Sequence, residues 1–157
     1  MADFHIKRAI MEEGSEKNPM TRRIMGKLPH DLSDVSEASF KFQKPLDSKV
    51  GGNMGKDTLH LLSYKGEFLK PCPGTKEYIC CDYQILNVAT NCPLDCSYCI
   101  LQSYFLNQPY LRIHVNLEEN MARILAVIDR DPQQIIRVGT GEFADSLALD
   151  PLTHWTD

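Results

Sequence analysis

Three cysteines within eight residues constrain this chain more than any other feature of its sequence. Cys92, Cys96 and Cys99 follow one another at spacings of four and three residues. Pro93 and the turn-forming Asn91 disfavour a helix here, so we expect the three thiols to lie on one loop. Such a loop can bind three irons of a 4Fe-4S cluster and leave the fourth iron open to a small molecule.

Two other interpretations of these cysteines stay open. A structural zinc site needs four ligands, usually from two paired knuckles, and no second knuckle follows Cys99. Cys80 and Cys81 could supply a fourth thiolate only by folding back. Cysteines spaced i, i+4 and i+7 could also be small apolar residues on one helix face. We interpret Cys72, Cys80 and Cys81 as structural or incidental, since three ligands suffice for a cluster with one open iron.

The residues around the loop resemble the radical S-adenosylmethionine (SAM) enzymes, with Tyr98 as the aromatic residue before the last cysteine. Residues 96–119 and 144–154 resemble the spore photoproduct lyase branch of that superfamily. The resemblance implies a partial TIM-type barrel whose cluster cleaves SAM reductively to a 5′-deoxyadenosyl radical. It also implies that Tyr98 packs near the adenine of SAM and that a flavodoxin or ferredoxin supplies the electron.

Length limits how much of such a barrel this sequence can form. The 157 residues are 43% apolar and 24% charged, as in ordinary globular proteins. A closed eight-stranded barrel needs roughly 200 residues or more. We therefore predict an α/β chain. Residues 1–80 would form a small α+β leader with a mobile loop at about 31–57, and residues 81–157 would form the truncated start of the barrel.

Charge and hydropathy restrict the partners and the compartment. No run of 18 apolar residues and no signal peptide occur in the sequence, which predicts a cytoplasmic protein without a membrane partner. The net charge is −4, with an excess of basic residues up to residue 80 and of acidic residues beyond it. Neither part has the basic stripe typical of a nucleic-acid surface, so the charge does not support DNA as a partner. Arg22, Arg23 and Lys27 we interpret as a solvated helix face.

Periodicity and turn residues predict a coarse order of elements. Asn116 should cap the clearest helix, with Glu119 three residues later as the second half of a capping box. A buried strand is predicted at 83–90, running directly into Cys92, and another at 135–138. His114 is expected on a strand surface. The other predicted elements are a strand at 4–11, a helix from Asn18 that ends before Pro29, a short helix at 100–105 and an extended segment at 110–115.

Strand, helix and strand in this order form a βαβ unit with parallel strands. The cysteine loop and the segment Gly139, Thr140, Gly141 and Glu142 should then emerge on one face, where parallel barrels hold their active sites. Glycines let a backbone approach a ligand closely, and a glutamate can accept hydrogen bonds from an ammonium group. The segment resembles the Gly-Gly-Glu contact to the methionyl amine of SAM, with Thr140 departing from it. Asp145 and Ser146 are secondary candidates.

Two departures concern the reaction itself. The resemblance implies thymine-dimer cleavage in spore DNA, with a later cysteine as hydrogen donor and a tyrosine directly after the third cluster cysteine. The donor position falls at or beside Glu142, no cysteine follows Cys99, and the tyrosine position holds Ile100. These residues favour a related enzyme that acts on another substrate.

Overall fold

The computed structural model of this chain describes residues 6–29, 32, 34–37, 55–74, 76–79, 81–94, 96–105, 109–145 and 147–157. Most of the loop predicted as mobile at 31–57 lies outside these residues, as does Cys80. The described helices are α1 (Pro19–Met25), α2 (Leu101–Tyr104), α3 (Leu117–Ile128) and α4 (Asp150–Thr153), with a 3-10 turn at Ser15–Lys17. The described strands are β1 (Arg8–Met11), β2 (Asp34–Glu37), β3 (Thr58–Leu62), β4 (Leu69–Pro71), β5 (Gln84–Leu86), β6 (Ala89–Thr90), β7 (Leu111–His114) and β8 (Val138–Gly139).

The larger sheet has the strand order β2-β1-β3-β7-β6. All of its pairings are parallel except the one between β6 and β7. Register pairs such as Leu59 with Leu111 and Leu61 with Ile113 place fully buried apolar side chains on one face. Side chains from α1 and α3, including Ile24 and Leu117, belong to the same core. The α/β class is therefore confirmed. The barrel and the division near residue 80 stay predictions, and strands from both sides of residue 80 pair in this sheet.

The single strand predicted at 83–90 was wrong, because the chain changes sheets in the middle of it. β5 pairs with β4 and β8, whereas β6 pairs with β7 in the larger sheet. Between them, the Asn87 N–H donates to the Phe68 carbonyl at 2.8 Å and the Val88 carbonyl accepts from His114 at 3.1 Å. Asn87 and Val88 are both buried, so the buried segment continues across the break, and the apolar character of residues 83–90 did not reveal it. The cysteine loop consequently follows β6.

The smaller sheet, ordered β4-β5-β8, contains the predicted parallel pair on either side of α3. Gln84 is in register with Val138, and Ile85 with Gly139. The strand predicted at 135–138 is shorter than expected and shifted, since only Val138–Gly139 pairs with a neighbour. Ile135 is 91% exposed, so this apolar residue lies outside the sheet.

The capping box predicted at Asn116 was also wrong, although α3 itself is confirmed. The Asn116 side chain makes no hydrogen bond to the helix. It instead accepts from the Tyr64 N–H at 2.8 Å and donates to the Tyr64 carbonyl at 3.0 Å. Glu119 accepts from Asn18 at 2.8 Å. Asn116 therefore bonds to the backbone just beyond β3, and no local sequence pattern could indicate this distant partner.

Helix α1 begins as predicted. Asn18 caps it, since its side chain accepts from the Met20 N–H at 2.8 Å, and Pro19 occupies the first turn. Arg23 and Lys27 are exposed as expected, but they also tie α1 to α4. Arg23 donates to the Thr153 carbonyl at 3.1 Å and Lys27 to the Pro151 carbonyl at 3.0 Å.

His114 does not lie on a strand surface. It is 2% exposed, and its ring stacks on Tyr64 with 4.3 Å between ring centroids. Its Nδ1 lies 2.8 Å from the Asn87 carbonyl and donates to it. The stacked aromatic partner makes burial of this polar ring possible.

In the part of the chain that the structure describes, no helix has both the length and the apolar character needed to cross a membrane.

Candidate functional site

The cysteine loop begins directly after β6. Cys92 is buried, whereas Cys96 and Cys99 are partly exposed, and all three thiols are free of disulfides. The Leu94 N–H donates to Cys92 Sγ at 3.4 Å. A turn links the other two cysteines, because the Cys99 N–H donates to the Cys96 carbonyl at 3.0 Å. Gln102 of α2 donates to the same carbonyl at 2.8 Å, which anchors the loop to the helix that follows.

The chemistry of this loop suits an iron-sulfur cluster. Its three sulfurs are the ligand type that iron-sulfur clusters use, and the N–H group on Cys92 Sγ is the kind of donor that tunes such a cluster. Among the described residues, no three histidine, cysteine or acidic side chains lie close enough together to bind a single metal ion. The three cysteines are thus not arranged as a single-ion site in the structure, and it is the sulfur chemistry of the loop that fits the predicted cluster.

Tyr98 lies directly before Cys99 in this loop and is 89% exposed. A hydrogen bond to the Cys96 side chain raises the pKa of the Tyr98 hydroxyl, and the charges of Cys96 and Cys99 add to this rise. An exposed ring beside two of the cysteines is available to a planar ligand. Its contact with adenine stays a prediction.

Gly139 ends β8, and Thr140, Gly141 and Glu142 follow it. A Cβ atom at Gly139 would overlap the hydroxyl of Tyr83, which lies over this position. A side chain at position 139 would therefore displace the Tyr83 phenol, a relation that the sequence did not indicate. Tyr83 comes two residues before Ile85, the register partner of Gly139.

Glu142 lies in an electrostatic environment that the sequence did not reveal. Its carboxylate forms an ion pair with Lys70 Nζ at 2.8 Å, and both side chains are partly buried. The same ammonium group lies 5.0 Å from the centre of the Phe143 ring. Lys70 belongs to β4, far away in the sequence. The Glu142 carboxylate thus already binds a primary ammonium group.

The structure joins the cysteine loop to residues 139–143, here called the Glu142 segment. The Asn91 N–H, one residue before Cys92, donates to the Phe143 carbonyl at 2.7 Å. This contact places the two loops side by side, although the cysteine loop follows β6 of the larger sheet and not β5, the strand that pairs with β8. Asp145 accepts from the N–H groups of Leu147 and Ala148 at 3.0 and 2.9 Å, which shows it in a turn, and Ser146 lies outside the described residues.

Fold and site together define an α/β protein with a thiol-rich loop and a carboxylate-bearing loop side by side. A protein-family model described as spore photoproduct lyase matches residues 76–156, which include both loops. The chain belongs to the spore photoproduct lyase family.

Individual relatives agree with this assignment. The chain is 36% identical over 67 residues to a spore photoproduct lyase of Geobacillus sp. (strain Y412MC61), a match that covers 43% of this chain and 20% of that protein. It resembles a solved spore photoproduct lyase complexed with dinucleoside spore photoproduct, with a TM-score of 0.73 and 22% identity, over 96% of this chain and 44% of that one.

A doubly substituted spore photoproduct lyase with bound AdoMet and dinucleoside spore photoproduct gives a TM-score of 0.72 at 23% identity. That match covers 94% of this chain and 43% of the solved one. The chain therefore shares the fold of these structures and spans less than half of their length.

Proposed function

We propose that this chain binds a 4Fe-4S cluster through Cys92, Cys96 and Cys99, and binds SAM beside it, as part of a radical SAM enzyme. The observation that carries the proposal is the hydrogen bond from Asn91 to Phe143, which holds the three-thiol loop against the Glu142 segment. Membership of the spore photoproduct lyase family supports it, because the family match covers both segments.

When bound, the cluster supplies one electron to SAM, and SAM supplies the radical that abstracts hydrogen from substrate. The chain contributes ligands and orientation. Hydrogen bonds from Leu94 to Cys92 Sγ, and between Tyr98 and Cys96, would stabilise charge on the sulfurs. The electron would come from a flavodoxin or ferredoxin in a reducing compartment such as the cytoplasm.

Glu142 would bind the methionyl ammonium group of SAM, flanked by Gly139, Thr140 and Gly141. The ion pair with Lys70 supports this role, because it shows that the carboxylate is placed to accept from a primary ammonium group. Lys70 either shares the carboxylate with SAM or moves aside toward Phe143. Tyr98 would stack against the adenine.

The substrate is proposed to differ from that of the relatives. Solved family structures are described with dinucleoside spore photoproduct. This chain has Ile100 directly after the third cysteine and Glu142 near the hydrogen-donor position. Because these two positions hold neither a tyrosine nor a cysteine, we propose hydrogen abstraction from another substrate.

The test is the content of iron, sulfide and zinc per chain after anaerobic reconstitution. Wild type, Cys96→Ala and Cys81→Ala are compared, because Cys81 is an exposed free cysteine outside the loop and serves as a matched control. We expect about four irons and four sulfides in wild type and Cys81→Ala, and loss of both in Cys96→Ala.

Stoichiometric zinc without sulfide would refute the cluster, and so would equal loading of Cys96→Ala and Cys81→Ala. Titration of loaded protein with SAM tests the second part of the proposal. We expect Glu142→Gln to weaken SAM binding by about tenfold, since a neutral amide loses the charge-assisted bond to the ammonium group. Unchanged affinity would remove Glu142 from the SAM site.

A further inference from the structure

Asn91 has an unusual backbone conformation at the start of the cysteine loop. Its φ is +67°, in the left-handed region that side chains other than glycine seldom adopt and that asparagine tolerates best. The residue is nevertheless 4% exposed. Burial of a polar side chain in this conformation requires specific partners.

Those partners belong to three separate parts of the chain. The Asn91 N–H donates to the Phe143 carbonyl at 2.7 Å. The side-chain oxygen accepts from the Cys92 N–H at 2.8 Å. The side-chain nitrogen donates to the Pro109 carbonyl, 18 residues further on, at 2.7 Å. One residue therefore links the Glu142 segment, the first cysteine and the approach to β7.

The Gly55–Lys56 turn supports the same arrangement from another side. Gly55 has φ +104° and lies against Pro109, so closely that a Cβ atom there would be 2.6 Å from two carbons of the proline side chain. Lys56 Nζ donates to the Leu94 carbonyl at 2.7 Å. Pro109 and the cysteine loop are thus held from two directions.

We infer that Asn91 is a positioning residue that keeps the cysteine loop in register with the Glu142 segment. The inference rests on the proposed function, because the two segments would hold the cluster and SAM respectively. Its left-handed backbone turns the chain out of β6, and its side chain fixes the turn through Cys92 and Pro109. Asn91 contacts neither ligand in this scheme and acts through the residues that do.

The test compares hydrogen exchange in the cluster-free chain for wild type, Asn91→Gly and Asn87→Ala. Glycine keeps the left-handed conformation and removes both side-chain bonds, so backbone strain does not confuse the result. Asn87 is the matched control: it is also buried, and its side chain donates to the Tyr64 hydroxyl, away from the cysteine loop. Peptides covering 92–99, 140–144 and α3 are followed.

For Asn91→Gly we expect exchange about tenfold faster in 92–99 and 140–144, with α3 unchanged, because loss of both side-chain bonds loosens the turn whose N–H donates to the Phe143 carbonyl. Asn87→Ala should leave both segments at the wild-type rate. Equal rates for Asn91→Gly and wild type would overturn the inference. Should the glycine variant not fold, Asn91→Asp decides by the same criterion, since it keeps the acceptor for Cys92 and loses the donor to Pro109.

SAM affinity per loaded chain is the second measurement. We expect Asn91→Gly to bind SAM about tenfold more weakly while Asn87→Ala keeps the wild-type affinity. Faster exchange with unchanged affinity would show a purely structural role and overturn the inference. If wild type takes up no iron and sulfide, the proposed function fails, and the exchange rates by themselves decide whether Asn91 couples the two segments.

Discussion

At the scale of single residues, Gly139 and Tyr83 form a steric pair beside the candidate SAM site. The Tyr83 hydroxyl occupies the space that a side chain at position 139 would need. Tyr83 is 36% exposed, so its ring can rotate toward solvent if it is displaced. The glycine therefore keeps the tyrosine over the end of β8.

We expect Gly139→Ala to lower the free energy of unfolding by about 1 kcal/mol in the presence of Tyr83, because the added methyl group displaces the phenol. In the Tyr83→Ala background the same change should cost little, since the space is empty. Urea unfolding of the four proteins in this double-mutant cycle measures the coupling. Additive effects would show that Tyr83 is not the reason why a side chain at position 139 is unfavourable.

Lys70 and Asn91 show how much of the site lay beyond sequence reasoning at this scale. The three cysteines were found from their spacing, which is local. Lys70 reaches Glu142 across 72 positions, and Asn91 reaches Phe143 across 52. No short pattern encodes such contacts, because the residues meet only after the strands have paired.

At the scale of elements, the start of α3 depends on its connection to β3. Asn116 makes both side-chain hydrogen bonds to the backbone of Tyr64 and none to the helix. Its role is that of a clamp between two elements. The amphipathic pattern of α3 was sufficient to predict the helix, but the partner of its first polar residue was not predictable.

Substitutions of Asn116 distinguish a helix cap on α3 from a link between α3 and the end of β3. We expect Asn116→Ala and Asn116→Ser to lower the free energy of unfolding equally, by about 2 kcal/mol for two hydrogen bonds. Serine is a good helix cap but is too short to reproduce both contacts to Tyr64. Thermal or urea unfolding gives the two values. A serine variant close to wild type would restore the capping interpretation, and Glu119→Ala, the other half of the expected box, is a suitable control.

At the scale of the whole molecule, two buried histidines lie in the larger sheet. The pKa of His60 is lowered to about 4, chiefly by burial, with smaller contributions from the positive charge of Arg112 and from the neighbouring His114. Burial also lowers the pKa of His114, against the opposing hydrogen bond to Asn87. Both rings are therefore neutral in the folded protein at neutral pH.

A neutral, buried His60 predicts that the free energy of unfolding decreases as the pH falls. Between the ordinary pKa of 6.5 and about 4, the unfolded chain binds a proton at residue 60 that the folded chain does not. The contribution of neutral His60 to the free energy of unfolding is complete above pH 6.5 and is lost as the pH falls toward about 4. The loss is on the order of 2 kcal/mol after allowance for solvent screening.

Chemical unfolding from about pH 7 to about pH 5 measures this loss, over a range where the histidines change charge more than ordinary carboxylates. We expect His60→Gln to show a smaller decline of stability with falling pH than wild type. Parallel declines in the two proteins would contradict a neutral buried His60.

The sequence by itself determined the features that depend on near neighbours. The spacing of Cys92, Cys96 and Cys99, with Pro93 and Asn91, predicted that the three cysteines share one loop, and the apolar periodicity of residues 117–128 predicted α3. Asn18 and Pro19 marked the start of α1. Each of these signals lies within a few residues, the range over which chain geometry limits the positions of side chains.

Only the tertiary structure decided how these parts meet. It divided the predicted strand at 83–90 between two sheets, paired Lys70 with Glu142 and placed Asn91 between Cys92, Pro109 and Phe143. The physical reason is that hydrogen bonds and ion pairs between distant segments depend on the packing of the whole chain, which leaves no periodic or local pattern in the order of residues.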